Sequence, residues 1–436
     1  MYLTTRGIVL LLLAAPVIAA ATWVAPLRWV DAGYPLLCLL LLALDWRAAG
    51  PIQRFDLRRE HDSKLSLGAD NPIHLTVYSR QPRPVHFWLR DEPPDAFQIG
   101  QRILEGSVRP RASWQDAYYV RPLRRGDYAF GQLNLRWDGP MGLIIRQGRI
   151  DATRPVKVYP NLLDVRRYDL LLRQNRLREL GLRHSRLTGQ GTEFERLREY
   201  TPDDEYRRIN WKATARRHRP ITMAYQTERS QSIMAIIDSG RMMQSPVAQI
   251  AKLDYVINAV LLLGYVASGM GDKVGMMTFA DDVDRYLAPH QGRGQFYRML
   301  ELLYAVEAQP VEPDYGRAFT YLALKQRRRA LVVIFTDLSG GAGMQALVQH
   351  AGALARRSLP LVVAISDPDV HRAATTRPGD TLSLYQQTAA SQLLAERQIA
   401  LDYLQRQGVL TLDVPANQLS IAVIQRYLEL KARQQL

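Results

Sequence analysis

Apolar and polar positions follow four rhythms along this chain, and each predicts a different kind of element. Residues 7–27, GIVLLLLAAPVIAAATWVAPL, are almost continuously apolar, and a second apolar run follows from Trp29 to Trp46. Each is about the length of a bilayer-crossing helix. Arg28 and Asp31 form a short polar joint between them. Trp23, Trp29, Tyr34 and Trp46 lie near the ends, and Arg6, Arg47, Arg54, Arg58 and Arg59 flank the pair. This predicts a transmembrane helical hairpin over 1–50 at the cell's inner (plasma) membrane, with both termini and the soluble domains cytoplasmic.

From 51 to 160 the rhythm shortens to strand-like runs such as Ile73–Tyr78, Val85–Leu89, Gln115–Val120 and Tyr128–Trp137, punctuated by proline and glycine. Short strands at that spacing predict a β-sandwich-like domain, with Phe87, Trp88, Trp114 and Trp137 in its core. A connector over 161–231 comes next. Leu162–Leu180 reads as a basic amphipathic helix stopped by Gly181, and Gly189–Arg216 is so dense in charge and rings that no period survives.

From Ser232 to the end, Val/Ile/Leu-rich strand runs alternate with helical ones. The strands are Ile233–Ile237, Lys273–Ala280, Asp284–Leu287, Ala330–Asp337, Leu361–Asp367 and Val409–Val414. This predicts an α/β domain over 232–436 with a doubly wound, mostly parallel sheet. Only Asp281–Val283 separate the second and third runs, too few residues for a helical crossover, so the third strand should be an antiparallel edge.

Composition narrows the chemistry. The 436 residues carry a net charge of +15, but the cations are scattered over every segment rather than gathered into one basic face with interleaved aromatics, so no nucleic-acid partner is expected. One cysteine, Cys38, rules out intrachain disulfides and cysteine-cluster metal sites. No phosphate-binding GxxxxGK[ST] loop, HExxH or GxSxG motif occurs, Gly189-x-Gly191 lacks a third glycine, and the eight histidines are not at metal-ligand spacing. No catalytic residue is nominated, and a hydrolase is the weaker alternative.

In a sheet of strand order 3-2-1-4-5-6, ligands collect beyond the carboxyl ends of the central strands. Asp238, Asp337 and Asp367 end three strands there. They can hold a hard cation through oxygen, or cap helices and tie loops. The arrangement resembles a von Willebrand factor A domain, whose adhesion-type metal site begins with Asp-x-Ser-x-Ser after the first strand. The resemblance puts Asp238 at the first aspartate, Asp337 at the turn aspartate, and Asp314 (within Pro313-Asp314-Tyr315) near the threonine loop. Gly240 and Met242 stand where the serines belong. It therefore implies at most a degenerate Mg²⁺ site on Asp238, Asp337 and Asp314, with no other cofactor.

Gly189-x-Gly191, Glu193-Phe194, Arg198-Glu199-Tyr200, Pro202, Asp204, Arg207, Asn210-Trp211-Lys212 and Arg216 resemble the signature of domain-of-unknown-function family fifty-eight. Arg124–Tyr128 (RRGDY) and Asp138–Leu143 (DGPMGL) are similar to the β-rich segment of that family. The resemblance implies a membrane hairpin, a β-rich segment and a von Willebrand factor A-like domain. It also implies a MoxR-type AAA+ ATPase as partner, in an adaptor or chaperone-like role without enzymatic activity. A metal-dependent, adhesion-like ligand-binding module is the alternative. The signature residues Arg198, Glu199, Tyr200, Asp204, Arg207, Asn210, Trp211, Lys212 and Arg216 then have two readings. They form a charge and cation–π network that pins the connector to the α/β domain, or a docking surface for a partner.

Overall fold

The computed structural model describes residues 2–16, 28–161, 188–201, 206, 209–217, 219–226, 230–338 and 342–433. The chain divides into two units, Met1–Asn161 and Leu162–Leu436. The helix expected over Leu162–Leu180 lies outside the described residues.

In the first unit, period-two alternation builds the sheets. Asn71–Ser79 alternates buried and outward positions and lies between Phe55–Glu60 and Ser113–Pro122, with Phe97–Ile99 at the edge. A five-stranded sheet runs Tyr2–Leu3, Ile144–Ile150, Leu133–Asp138, Val85–Asp91, Ile103–Val108. Aromatic contacts join these two sheets: Phe87 meets Trp114 at 5.0 Å and Phe55 meets Trp137 at 5.1 Å between ring centroids. A buried ion pair lies among them. Asp91 accepts from Arg59 Nε at 2.9 Å and from the Tyr118 hydroxyl at 2.7 Å. Arg59 also donates to the Ala152 and Gly131 carbonyls. With every polar atom engaged, the buried pair is tolerated. Burial, and then the Asp91 charge, pushes the Tyr118 phenol far above its ordinary value.

The expected membrane hairpin is overturned. Among the described residues, no helix is long and apolar enough to cross a membrane. The beginning of the first run forms a short helix, Thr5–Leu12, broken by a turn at Leu13 before residues 14–16 are helical again, and residues 17–27 lie outside the described residues. The second run lies within a helix, Arg28–Ala49, that carries Arg28, Asp31, Asp45 and Arg47 and has Pro35 inside it. Its last turns belong to the β-rich unit. Asp45, wholly buried, accepts from the backbone amides of Met141, Leu143 and Ile144 at 2.7, 2.9 and 3.1 Å. The Ala49 carbonyl accepts from Gln81 and from the Trp137 indole. Average apolarity concealed this carboxylate, whose partners come from a loop nearly a hundred residues away. The inner-membrane placement and the embedding through two N-terminal helices go with the hairpin. The DGPMGL run now has a local explanation: Gly142 sits at φ +65°, and a Cβ on Gly139 would overlap the Asp45 carboxylate.

The second unit is built on one six-stranded sheet. Its strands are β1 (Ser232–Asp238), β2 (Lys273–Phe279), β3 (Val283–His290), β4 (Leu331–Thr336), β5 (Leu359–Ser366) and β6 (Leu410–Pro415), in the order β3-β2-β1-β4-β5-β6. All neighbours are parallel except β2 and β3, which are antiparallel across the short Asp281–Val283 joint. The helices are α1 (Lys252–Gly269), α2 (Arg293–Tyr304), α3 (Tyr315–Lys325), α4 (Ala342–Ala355), α5 (Pro368–Thr375), α6 (Thr381–Arg406) and α7 (Leu419–Ala432). Phe319 and Leu322 of α3, Leu347 and Ala351 of α4, and Leu401 and Leu404 of α6 pack in one cluster with Met234, Ile236, Ile334 and Val362 of the strands.

Candidate functional site

The central parallel strands deliver polar side chains to their carboxyl ends. Asp238 closes β1, and Thr336 and Asp337 close β4 beside it. Asp238 Oδ1 accepts from the Gly240 amide at 2.8 Å. Its Oδ2 lies 2.8 Å from Thr336 Oγ1 and 2.9 Å from the Tyr315 hydroxyl, which are themselves 2.7 Å apart. A closed triangle of three oxygens needs three protons for three hydrogen bonds. The two hydroxyls supply one each, and both are directed at Asp238 Oδ2, so a proton on the carboxyl would satisfy the third contact. Burial pushes the Asp238 carboxyl up. The Gly240 amide and the two hydroxyls oppose the rise, and the nearby Asp337 charge adds to it. Burial likewise raises the Tyr315 phenol well above its ordinary value.

Asp337 is satisfied differently. Its Oδ2 receives Lys252 Nζ at 2.7 Å, with both side chains almost wholly buried. Its Oδ1 lies 3.5 Å from Arg397, which grips Asp413 through Nε and Nη2 at 3.2 and 2.6 Å. The ladder Lys252–Asp337–Arg397–Asp413 is thus charge-balanced. Lys252 stands in the first turn of α1, where the helix dipole opposes a cation, so the Asp337 carboxylate has to hold it there.

This donor set does not fit a divalent cation. An ammonium occupies the Asp337 oxygen that a metal would need, and hydroxyls and an amide occupy those of Asp238. Asp314 is not brought to them. Its carboxylate caps α3 through the Arg317 amide at 2.9 Å and pairs with the Arg317 side chain. The next residue, Tyr315, reaches the rim instead. Asp367 caps α5 through the Asp369 amide. Among the described residues, no group of three or more His, Cys, Asp or Glu is placed to hold a metal ion. Beside Arg397, a cleft of about 30 Å³ lined by Ser366, Asp367, His371 and Leu393 has room only for water-sized guests. Lys252, Tyr315, Thr336 and Arg397 were missed by sequence reasoning. The available signal was a lone lysine directly before the long apolar helix run.

The signature forms a hairpin with a helical insert. Strand Thr188–Glu199 pairs antiparallel with Ile221–Gln226, and helix Trp211–Arg217 lies between them in sequence. Asn210 caps the helix, its Oδ1 accepting from the Ala213 amide at 3.0 Å, while its own amide donates to the Ile221 carbonyl. Thr214 Oγ1 accepts from the Ile221 amide, and Ile209, Ile221 and Thr222 are buried beneath. The Tyr200 amide donates to the Pro220 carbonyl. Glu199 pairs with Arg219 at 3.1 Å, both well exposed, an arrangement that contributes little to stability. Trp211 is 58% exposed and stacks edge-to-face on Tyr206, 67% exposed, at 5.6 Å. Lys212 and Arg216 are exposed on the same helix. Arg198 lies in the first strand, and Asp204 and Arg207 lie outside the described residues.

Residues 196–373 match the family model "Protein of unknown function DUF58". That interval runs from the end of the first signature strand, through the rest of the hairpin, to α5. Among curated proteins, the chain is 25% identical over 184 residues to the uncharacterized protein Rv1480 of Mycobacterium tuberculosis, covering 42% of this chain and 57% of that one. It is 23% identical over 198 residues to the uncharacterized protein YeaD of Bacillus subtilis, covering 43% of this chain and 48% of YeaD. The chain thus spans about half the length of these curated relatives. Solved structures with local likeness include a PapD-like domain of human CEP192, at 13% identity and TM-score 0.20, covering 24% of this chain and 84% of that one. The CARDB domain of Pyrococcus furiosus PF1109 follows at 11% identity and TM-score 0.17, covering 24% and 86%.

Proposed function

We propose that this chain is a non-enzymatic interaction protein, whose second unit is a von Willebrand factor A-like adaptor for a MoxR-type AAA+ ATPase. The carrying observation is the exposed, mutually stacked Tyr206–Trp211 pair, flanked by exposed Lys212 and Arg216. Large rings left in solvent beside cations are the side chains from which interface hot spots are made. The cation–π clamp reading of Trp211 loses ground, since its described ring partner is Tyr206 and more than half of it faces solvent. The sheet order with its antiparallel β3 supports the von Willebrand A-like reading. The alternative metal-dependent module is disfavoured by Lys252, which already neutralises Asp337. The ATPase is the partner that the family resemblance implies.

The test is co-purification of the tagged chain with a MoxR-type AAA+ ATPase from the same source under nucleotide-trapping conditions. The wild type should retain the ATPase. Trp211→Ala should lose at least about tenfold in affinity, a hot-spot cost of ~1.4 kcal/mol or more. Its melting point should stay within about 4 °C, as for a ~1 kcal/mol surface change. No retention by the wild type, or full retention by a Trp211→Ala chain that melts much lower, sinks the proposal.

A further inference from the structure

The opposite end of the same sheet carries a different feature. Because β4, β5 and β6 are adjacent and parallel, the loops that enter them lie side by side, across about 10 Å for two strand spacings. Those loops hold Arg327, Arg328 and Arg329 before β4, Arg356 and Arg357 before β5, and Arg406 at the end of α6 before β6, all exposed. Their proximity is fixed by contacts. The Leu359 amide donates to the Ala330 carbonyl at 3.0 Å, tying the first two loops together. The Gln407 side chain lies so close to Gly352 of α4 that a Cβ there would overlap it, which brings the third loop alongside.

These arginines pair with no acid among the described residues; the segments 323–331, 352–360 and 403–410 contain no Asp or Glu, and the exposed Asp402, one turn before Arg406, accepts from Gln398 instead. A structural explanation exists for part of this. Helices α3, α4 and α6 all end here, and a cation near each C-terminus complements its dipole. One cation per helix would do that, whereas α3 alone ends in Lys325 and is followed by three consecutive arginines. The surplus is mutual repulsion, which costs stability without serving the fold. Apolar side chains stand among the charges. Leu324 is 68% exposed, and Ile399 and Tyr403, at i and i+4 on α6, are 68% and 51% exposed on the stripe that leads to Arg406.

We infer that this end of the sheet is a docking surface for an acidic segment of a partner protein. The partner segment would set carboxylates against the arginines and apolar side chains against Leu324, Ile399 and Tyr403. A protein partner fits better than a nucleic acid, because two of the three exposed apolar side chains, Leu324 and Ile399, are aliphatic and offer bases no stacking face, which leaves Tyr403 as the one ring among them. The surface extends the adaptor reading by a second contact face, at the other end of the strands from the aspartate rim. Its test contains no ATPase, so either proposal can fail alone.

The probe is a fluorescent Glu/Leu peptide of about fifteen residues, titrated with the full chain at low and physiological salt. Arg328→Glu, Arg356→Glu and Arg406→Glu together should weaken binding by roughly 30-fold, as three removed and reversed surface ion pairs predict. An equal charge change elsewhere, Arg293→Glu, Arg298→Glu and Arg377→Glu, should cost under about threefold once salt screens long-range attraction. The patch variant should melt within a few degrees of wild type, since relief of repulsion is offset by the loss of cations at three helix C-termini. Equal losses in the two variants would reduce the effect to net charge and overturn the proposal. Tighter binding of a single-stranded oligonucleotide of matching length would overturn it in favour of nucleic acid. Absence of peptide binding by the wild type at low salt would also end it.

Discussion

Lys252→Met tests whether a tethered ammonium has taken the place of a cation at the rim. Methionine keeps most of the apolar stem and removes only the charge. Lys252 Nζ lies 2.7 Å from Asp337 Oδ2, with side chains 5% and 0% exposed, so solvent cannot replace the lost partner. Breaking one side of a buried ion pair costs about 3–5 kcal/mol. Arg397, 3.5 Å from the other Asp337 oxygen, retains part of the compensation and places the expectation near ~3 kcal/mol. For a unit of this size that corresponds to a fall of roughly 6–12 °C in melting temperature. The assay is thermal unfolding of the full chain, followed by near-ultraviolet dichroism, for Lys252→Met, Asp337→Asn and the double variant. The double variant should be less destabilised than the sum of the singles by at least about 2 kcal/mol, because neither charge is then stranded. Millimolar Mg²⁺ should leave the wild-type transition where it is. A cost under about 1 kcal/mol for Lys252→Met, or a clear rise of the wild-type transition on adding Mg²⁺, refutes the reasoning.

Asp238→Asn should gain stability relative to wild type as pH rises. The folded carboxyl titrates above its unfolded value, so its favourable contribution is complete below pH ~4 and is lost as pH climbs through the folded pKa. Asparagine does not titrate in this range, so a difference in unfolding midpoint that stays flat between about pH 4 and 8 contradicts an Asp238 carboxyl held above its ordinary value. Asp45→Ala should cost about 3 kcal/mol or more in the first unit, since three backbone amides lose their acceptor. Urea unfolding reads this, and a loss below ~1 kcal/mol would mean that water reaches the 141–144 loop. Gly139→Ala should be about as harmful, through collision with the same carboxylate.

Local sequence determined most of the second unit. Unbroken Val/Ile/Leu runs such as Ile233–Ile237 and Leu361–Ile365 bury both faces and form parallel strands. Asp281–Val283 is too short for any crossover, and β3 is antiparallel for that reason. Sequence also put Asp238 and Asp337 at strand ends. It left the partners of those carboxylates unread. Lys252, Asp337 and Arg397 lie on three elements, the first two separated by 85 positions. Only the sheet order brings the start of α1, the end of β4 and the middle of α6 to one buried point, where an unpaired charge cannot persist. The first unit shows the same limit from the other side. Residues 29–46 are apolar enough on average to predict a span, yet Asp45 is buried against amides from a distant loop. Periodicity reports which face of an element avoids water. The tertiary structure decides which group each buried charge must meet, since that depends on segments whose separation in sequence carries no trace of their distance in space.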